Sequence, residues 1–186
     1  MSKEIILLIC VSCLVFQSMV WFVTDPRDHK KKLQQTFEPK RVAFFFKAAL
    51  FLAIYLFSSI YLTWLSTTKD GAFVSLGLLI YISGMAIGIW ARFGMNKYWG
   101  IPAQHDSTRQ TVLITHGAFS FTRNPIYLSN LFLFTGFSIA LRSFSILLVP
   151  IVFYAIYKTI LIEEDLLHKK FGHEYEKYKS KVPRFL

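Results

Sequence analysis

"RNPIYLSNLFLFTGFSIALRSFSILLVPIVFYAIYKTILIEE", residues 123–164, decides how this chain folds. A basic, proline-containing turn opens an apolar run. "RS" at 142 and 143 interrupts that run, and a second one ends on two glutamates. Asn124 is a favoured residue just before a helix, and Pro125 fits the first helical position. Two apolar helices joined by so short a turn lie antiparallel. The end of the second, with Glu163 and Glu164, therefore returns to the start of the first, with Arg123, Asn124 and Tyr127. Cations and carboxylates then face one another at one depth.

The rest of the chain fits a membrane around that hairpin. More than half of its 186 residues are apolar (54%), and they come in blocks rather than scattered as in a soluble core. Five blocks approach the roughly 20 residues that a spanning helix needs. They are 5–23, 42–65, 73–91, 125–141 and 144–162. Lys47 and Lys158 lie near the ends of their blocks, where a long side chain reaches the interface. The first block is not read as a cleaved signal, because it lacks a small-x-small site and "DPRDHKKK" follows it.

The net charge of +10 could indicate nucleic acid, but its distribution argues for topology instead. Residues 24–41 carry Arg27, Lys30, Lys31, Lys32, Lys40 and Arg41 against Asp25, Asp28 and Glu38. The loop "STTKDGA" is neutral, and residues 92–124 are basic again. Excess Lys and Arg thus follow blocks one, three and five. That pattern puts the N-terminus outside and the C-terminus in the cytoplasm. The loop 92–124 and the tail 163–186 fall on the same, cytoplasmic side. In the tail, Leu166, Leu167, Phe171, Tyr175 and Tyr178 recur at helical steps, with Gly172 as an interruption and Pro183 as the end. The expectation is a single-domain, all-α integral membrane protein. It has about five transmembrane helices, a cytoplasmic loop and a C-terminal amphipathic helix.

Other features carry less. Cys10 and Cys13 form a CxxC inside the first block, where cysteines act as small apolar residues. His168 and His173 are spaced five apart, a poor match to metal-binding histidines on one helix face, and no metal is expected. Gly84 and Gly88, spaced by four, permit close helix packing, either within the chain or between chains. No glycine-rich nucleotide-binding fingerprint follows a strand, so a soluble nucleotide-binding sheet is excluded.

"THGAFSFTRNPIYLSN", the apolar hairpin and "EEDLLHKKFGHEYEKYKSKVPRFL" together resemble the isoprenylcysteine carboxyl methyltransferase family and its phospholipid methyltransferase relatives. The resemblance covers roughly residues 88–186. The family pattern is Gly-x-Tyr, Arg-His-Pro-x-Tyr, a membrane hairpin, Glu-Glu, and a tail with paired tyrosines and a proline. The resemblance implies an integral membrane methyltransferase that uses S-adenosylmethionine. The methyl acceptor would be lipophilic or lipid-attached, either an isoprenylcysteine-like carboxylate or a phospholipid-like amine. It also implies that Gly117, Phe119, Arg123, Asn124, Pro125, Tyr127, Glu163 and Glu164 surround the cofactor. Arg123, Asn124, Glu163 and Glu164 would be the residues nearest the chemistry. His116 and Tyr175 join the cofactor set by proximity.

Two departures stand out. Asn124 replaces the family's usual His, and Phe119 its usual Tyr. Asn keeps an amide donor and acceptor but does not titrate near neutral pH. Two rival readings follow. One is an NADPH-dependent membrane reductase of the steroid or sterol type, whose tails are loosely alike. The other is a non-catalytic relative that retains the scaffold.

Overall fold

The computed structural model describes residues 3–23, 70–95 and 112–186, with Ala53, Phe57 and Tyr61 placed singly in helical conformation. Its long helices are α1 (Lys3–Val23), α2 (Asp70–Met95), α3 (Pro125–Ala140) and α4 (Val149–Phe171), and a short helix α5 (His173–Lys179) follows. Two 3-10 turns, Gly117–Ser120 and Phe144–Leu148, precede α3 and α4. The described residues contain no strand, and the protein is all-α. Apart from those three residues, the span expected at 42–65 lies outside the described residues.

Three stretches, Glu4–Trp21, Gly71–Met95 and Phe144–Phe171, are long and apolar enough to cross a membrane, and Pro125–Ala140 is a shorter apolar helix. Their outer surfaces remain oily. Leu8, Phe16 and Met19 on α1, Leu79 on α2, and Ile151 and Tyr154 on α4 are all exposed. On a soluble protein this much exposed apolar surface would drive aggregation. In a bilayer it is the face that lipid solvates.

Among the described residues α2 and α3 form the closest helix pair, and glycine makes that approach possible. A Cβ on Gly136 would sit 2.5 Å from the Tyr81 backbone nitrogen and 2.7 Å from the Gly77 carbonyl oxygen. One on Gly77 would sit 2.3 Å from the backbone nitrogen of Ala140. Gly84 and Gly88 meet α3 near Ser129 and Leu133, so their spacing serves contact within the chain. Lipid tails are as apolar as leucine, so helices in a membrane gain chiefly from such close packing. α1 closes over this seam through Ile6 and Cys10, and the Tyr81 hydroxyl donates to the Cys10 carbonyl at 2.8 Å.

The bend between α3 and α4 is built from serines. The Ser143 hydroxyl accepts from the Ser145 amide at 3.0 Å, and the Ser145 hydroxyl donates to Ser138 Oγ at 2.9 Å. Arg142 takes the left-handed backbone, with φ of 53°. That conformation costs a non-glycine residue about 1–2 kcal/mol. Phe144–Leu148 is a 3-10 turn, so the α-helix starts at Val149, with Pro150 in its first turn.

At its other end α4 continues through Ile162, Glu163 and Glu164 to Phe171. Sequence reading put the helix end at 162, where apolar character stops. The polar residues beyond are good helix formers, and an Asp165–Lys169 pair at 2.6 Å spans one turn there. Polarity changed at that point and backbone conformation did not. Gly172, with φ of 51°, is where the helix breaks, as its place in the tail predicted.

Candidate functional site

The start of α3 and the polar end of α4 meet in a cluster of charges. Glu164 is buried at 7% exposure, and four donor groups converge on its carboxylate. Arg123 Nη2 lies 3.2 Å from Oε1, and Asn124 Nδ2 donates to the same oxygen at 3.3 Å. Arg184 Nη2 donates to Oε2 at 2.7 Å, while its Nε lies 3.1 and 3.2 Å from the two oxygens. One helical step away, Glu163 Oε1 accepts from the Tyr127 hydroxyl at 2.9 Å. The bend brings the basic entry and the acidic exit together.

Asn124 occupies the position before α3, yet its side chain does not cap that helix. The amide instead donates to Glu164 Oε1 and to the Arg184 carbonyl, the latter at 3.2 Å. Thr122 takes part nearby. Its hydroxyl donates to the Arg184 carbonyl at 2.9 Å and accepts from the backbone N–H of Asn124 at 3.3 Å. The expected capping role of Asn124 is therefore corrected. Its position at the helix start stands, and its side chain is committed to α4 and the tail.

The tail is the third wall. α5 packs Tyr175 and Tyr178 against Leu113 and Val182, with Leu167 and Phe171 alongside. The Tyr178 hydroxyl donates to the Phe119 carbonyl at 2.6 Å, which ties α5 to the turn Gly117–Ser120. Residues 182–186 then cross the start of α3, where the Arg123 amide donates to the Pro183 carbonyl at 2.9 Å. Burial pushes the Tyr175 phenol up to about 12 and raises that of Tyr178 as well. Both stay neutral near pH 7. The Glu164 carboxylate hydrogen-bonded to it holds the Arg184 guanidinium above its ordinary range, so that cation is permanent.

Two buried donors near this cluster have no hydrogen-bond partner among the described residues. They are Arg123 Nε and the Tyr175 hydroxyl, and Tyr175 is only 1% exposed. Leaving a buried polar group unpaired costs about 1–3 kcal/mol.

Of the residues expected at the site, Arg123, Asn124, Tyr127, Glu163 and Glu164 are brought together directly, and Pro125 is buried among them at the first turn of α3. Tyr175 lies close enough to feel the charges of Glu164, Arg123 and Arg184. His116, Gly117 and Phe119 join through α5 instead. His116 is exposed, Gly117 takes φ of +62° beside Trp90, and Phe119 contributes its carbonyl. Sequence reasoning missed Arg184, Thr122 and Tyr157, whose hydroxyl accepts from Arg184 Nη1 at 2.9 Å. The run "KVPRFL" was read for its proline, as a helix stop and as part of the family's tail pattern, and a lone arginine beyond a proline carries no spacing signal.

No curated protein matches this chain. A model of the family described as phospholipid methyltransferase matches residues 72–174, more than half of the chain and a range that includes both halves of the charge cluster. With its membrane-spanning helices and this match, the chain is a membrane protein of the phospholipid methyltransferase family.

Proposed function

We propose that this protein transfers a methyl group from S-adenosylmethionine to a lipophilic or lipid-attached acceptor at the membrane surface. The observation that carries the proposal is the meeting of Arg123, Asn124 and Tyr127 with Glu163 and Glu164 at the mouth of the α3–α4 hairpin. The donor set fits the cofactor. Arg123 Nε and the Tyr175 hydroxyl, both unpartnered, suit its carboxylate, and the start of α3 adds a positive dipole end.

When bound, S-adenosylmethionine supplies a methyl group already activated on a sulfonium sulfur. The chain's own task is then alignment and the exclusion of water. Tyr127 orients Glu163 by donating to Oε1. Glu163 holds the acceptor end of the site and takes a proton where the acceptor is an amine, which attacks only when deprotonated. A carboxylate acceptor needs no base. The acceptor's apolar chain enters sideways along the oily faces of the helices, and the cofactor enters from the cytoplasmic side. In this topology the N-terminus is outside and the C-terminus in the cytoplasm.

Purified protein in detergent should gain thermal stability with S-adenosylhomocysteine, because a ligand of the native state raises apparent stability. NADPH should give no shift. Methyl-labelled S-adenosylmethionine with phosphatidylethanolamine vesicles or a farnesylated cysteine peptide then separates the acceptors. Label in the lipid headgroup marks an amine, and base-labile label on the peptide marks a carboxylate. A shift with NADPH and none with S-adenosylhomocysteine would refute the proposal.

A further inference from the structure

The twin glutamates are neighbours in sequence, yet the structure treats them differently. An ionised carboxylate offers about four acceptor sites. Those of Glu164 are taken by Arg184 Nε and Nη2, Arg123 Nη2 and Asn124 Nδ2. It has little left to offer a ligand. Glu163, half-buried, accepts from Tyr127 at Oε1.

Arg184 does most of the gripping. Its side chain holds Glu164 at 2.7–3.2 Å through a fork that reaches both oxygens. Its guanidinium also lies 5.2 Å from the centre of the Tyr157 ring on α4. Its backbone carbonyl accepts from Thr122 and Asn124 at the start of α3. One residue thus ties α3 to α4 by both main chain and side chain. Next to it Phe185 packs on Phe153, with ring centres 5.8 Å apart. Arg184 lies beyond the residues that the family match covers.

We propose that Arg184 is a positioning residue for the methyl-transfer site: it fixes Glu164, which in turn fixes Arg123 and Asn124, and leaves Glu163 to meet the reacting groups. The proposal rests on the methyltransferase reading for its chemistry, while the grip itself stands on the contacts above.

The test uses the full chain in detergent with Arg184→Gln, Arg184→Lys, Glu164→Gln and the double variant Arg184→Gln with Glu164→Gln. Binding of S-adenosylhomocysteine is followed by calorimetry, and stability by thermal midpoint. Arg184→Gln should weaken binding about tenfold or more, the loss expected from about 1.4 kcal/mol of misplacement. Arg184→Lys should recover most of the midpoint, because it restores the charge. It should leave binding weakened, because one ammonium does not reproduce the fork. If Arg184→Gln does not fold, the lysine variant carries the comparison. Wild-type affinity in Arg184→Gln, or affinity and midpoint recovering in step in Arg184→Lys, would overturn the positioning role. If the wild-type chain binds no S-adenosylhomocysteine, the methyltransferase reading falls. The grip is then judged on midpoints alone, where a double-variant loss smaller than the summed single losses supports it and an additive loss overturns it.

Discussion

Helix α3 makes two kinds of contact along its length. Toward its end, Gly136 and Ala140 lie against the backbone of α2, with no room for another carbon. At its start, Arg123 and Asn124 reach Glu164 and the tail through charge and hydrogen bonds. The seam is a shape match between small residues, in which the buried Ser129 hydroxyl also lacks a partner among the described residues. The mouth is a network of polar groups, some of them still unpaired. An apolar seam needs only small residues. A polar mouth in a low-dielectric setting has to be satisfied atom by atom, because each unpaired buried group is costly there.

Removing the hub of the mouth should have the largest effect. Glu164→Gln leaves Arg123 and Arg184 facing a neutral amide, and breaking a buried charge pair from one side costs about 3–5 kcal/mol. The thermal midpoint in detergent should fall accordingly. An unchanged midpoint would mean that the mouth contributes no more than an exposed ion pair. The seam comes next. Gly136→Ala puts a methyl group against the backbone of Tyr81 and Gly77, which only a shift of one helix can relieve. Overpacking of this kind costs about 1–3 kcal/mol. Gly71, with open space around its Cβ position, is the control, and Gly71→Ala should leave the midpoint in place. Equal behaviour of the two glycines would break the contrast between seam and mouth.

Asn124 is the residue at which sequence and structure together teach most. The family resemblance marked it as a departure from His. Its carboxamide makes two donations at once, to Glu164 and to the Arg184 carbonyl. A neutral imidazole carries one N–H and an imidazolium carries two. Asn therefore performs a double donation without adding a third cation beside Arg123 and Arg184. Asn124→Asp should weaken S-adenosylhomocysteine binding, because it turns both donations into acceptor-against-acceptor contacts, at about 1–3 kcal/mol. Asn124→His should bind well only where the ring is protonated, so its affinity should rise as pH falls through the histidine range. A flat pH profile in that variant would show that the second donation is dispensable.

Much of the fold was legible because a membrane makes the apolar pattern explicit. The block 125–141 corresponds to α3, and the "RS" turn to the bend at Arg142 and Ser143. The meeting of Arg123 with Glu164 followed from that bend alone. What hydropathy did not mark was the end of α4, because a helix leaving the bilayer changes its solvent and keeps its hydrogen bonds. Nor did it mark Arg184. A residue that acts by folding back across another helix leaves no periodic trace, and its partner Thr122 looks like an ordinary loop residue. The role of Asn124 was hidden for a similar reason. Its residue type fits a helix cap, and only its neighbours in space show where the amide points.

Tyr127→Phe should have the smallest effect on stability and separates the two glutamates most cleanly. It removes one hydroxyl from a half-buried ring and leaves the Glu164 network untouched. A single hydrogen bond of this kind is worth about 0.5–1.5 kcal/mol net. The midpoint should therefore move little. Methyl transfer should fall further than stability, because Glu163 loses the donor that sets the orientation of its carboxylate. The measurement is a pair of ratios, midpoint and turnover against wild type, for Tyr127→Phe and for Thr122→Val. The Thr122 hydroxyl reaches the network around Glu164, through the Asn124 backbone N–H and the Arg184 carbonyl, and leaves the Tyr127–Glu163 bond in place, so its midpoint should fall further than that of Tyr127→Phe. If the tyrosine variant loses stability and turnover in proportion, Glu163 belongs to the scaffold like its neighbour, and the division between the two carboxylates disappears.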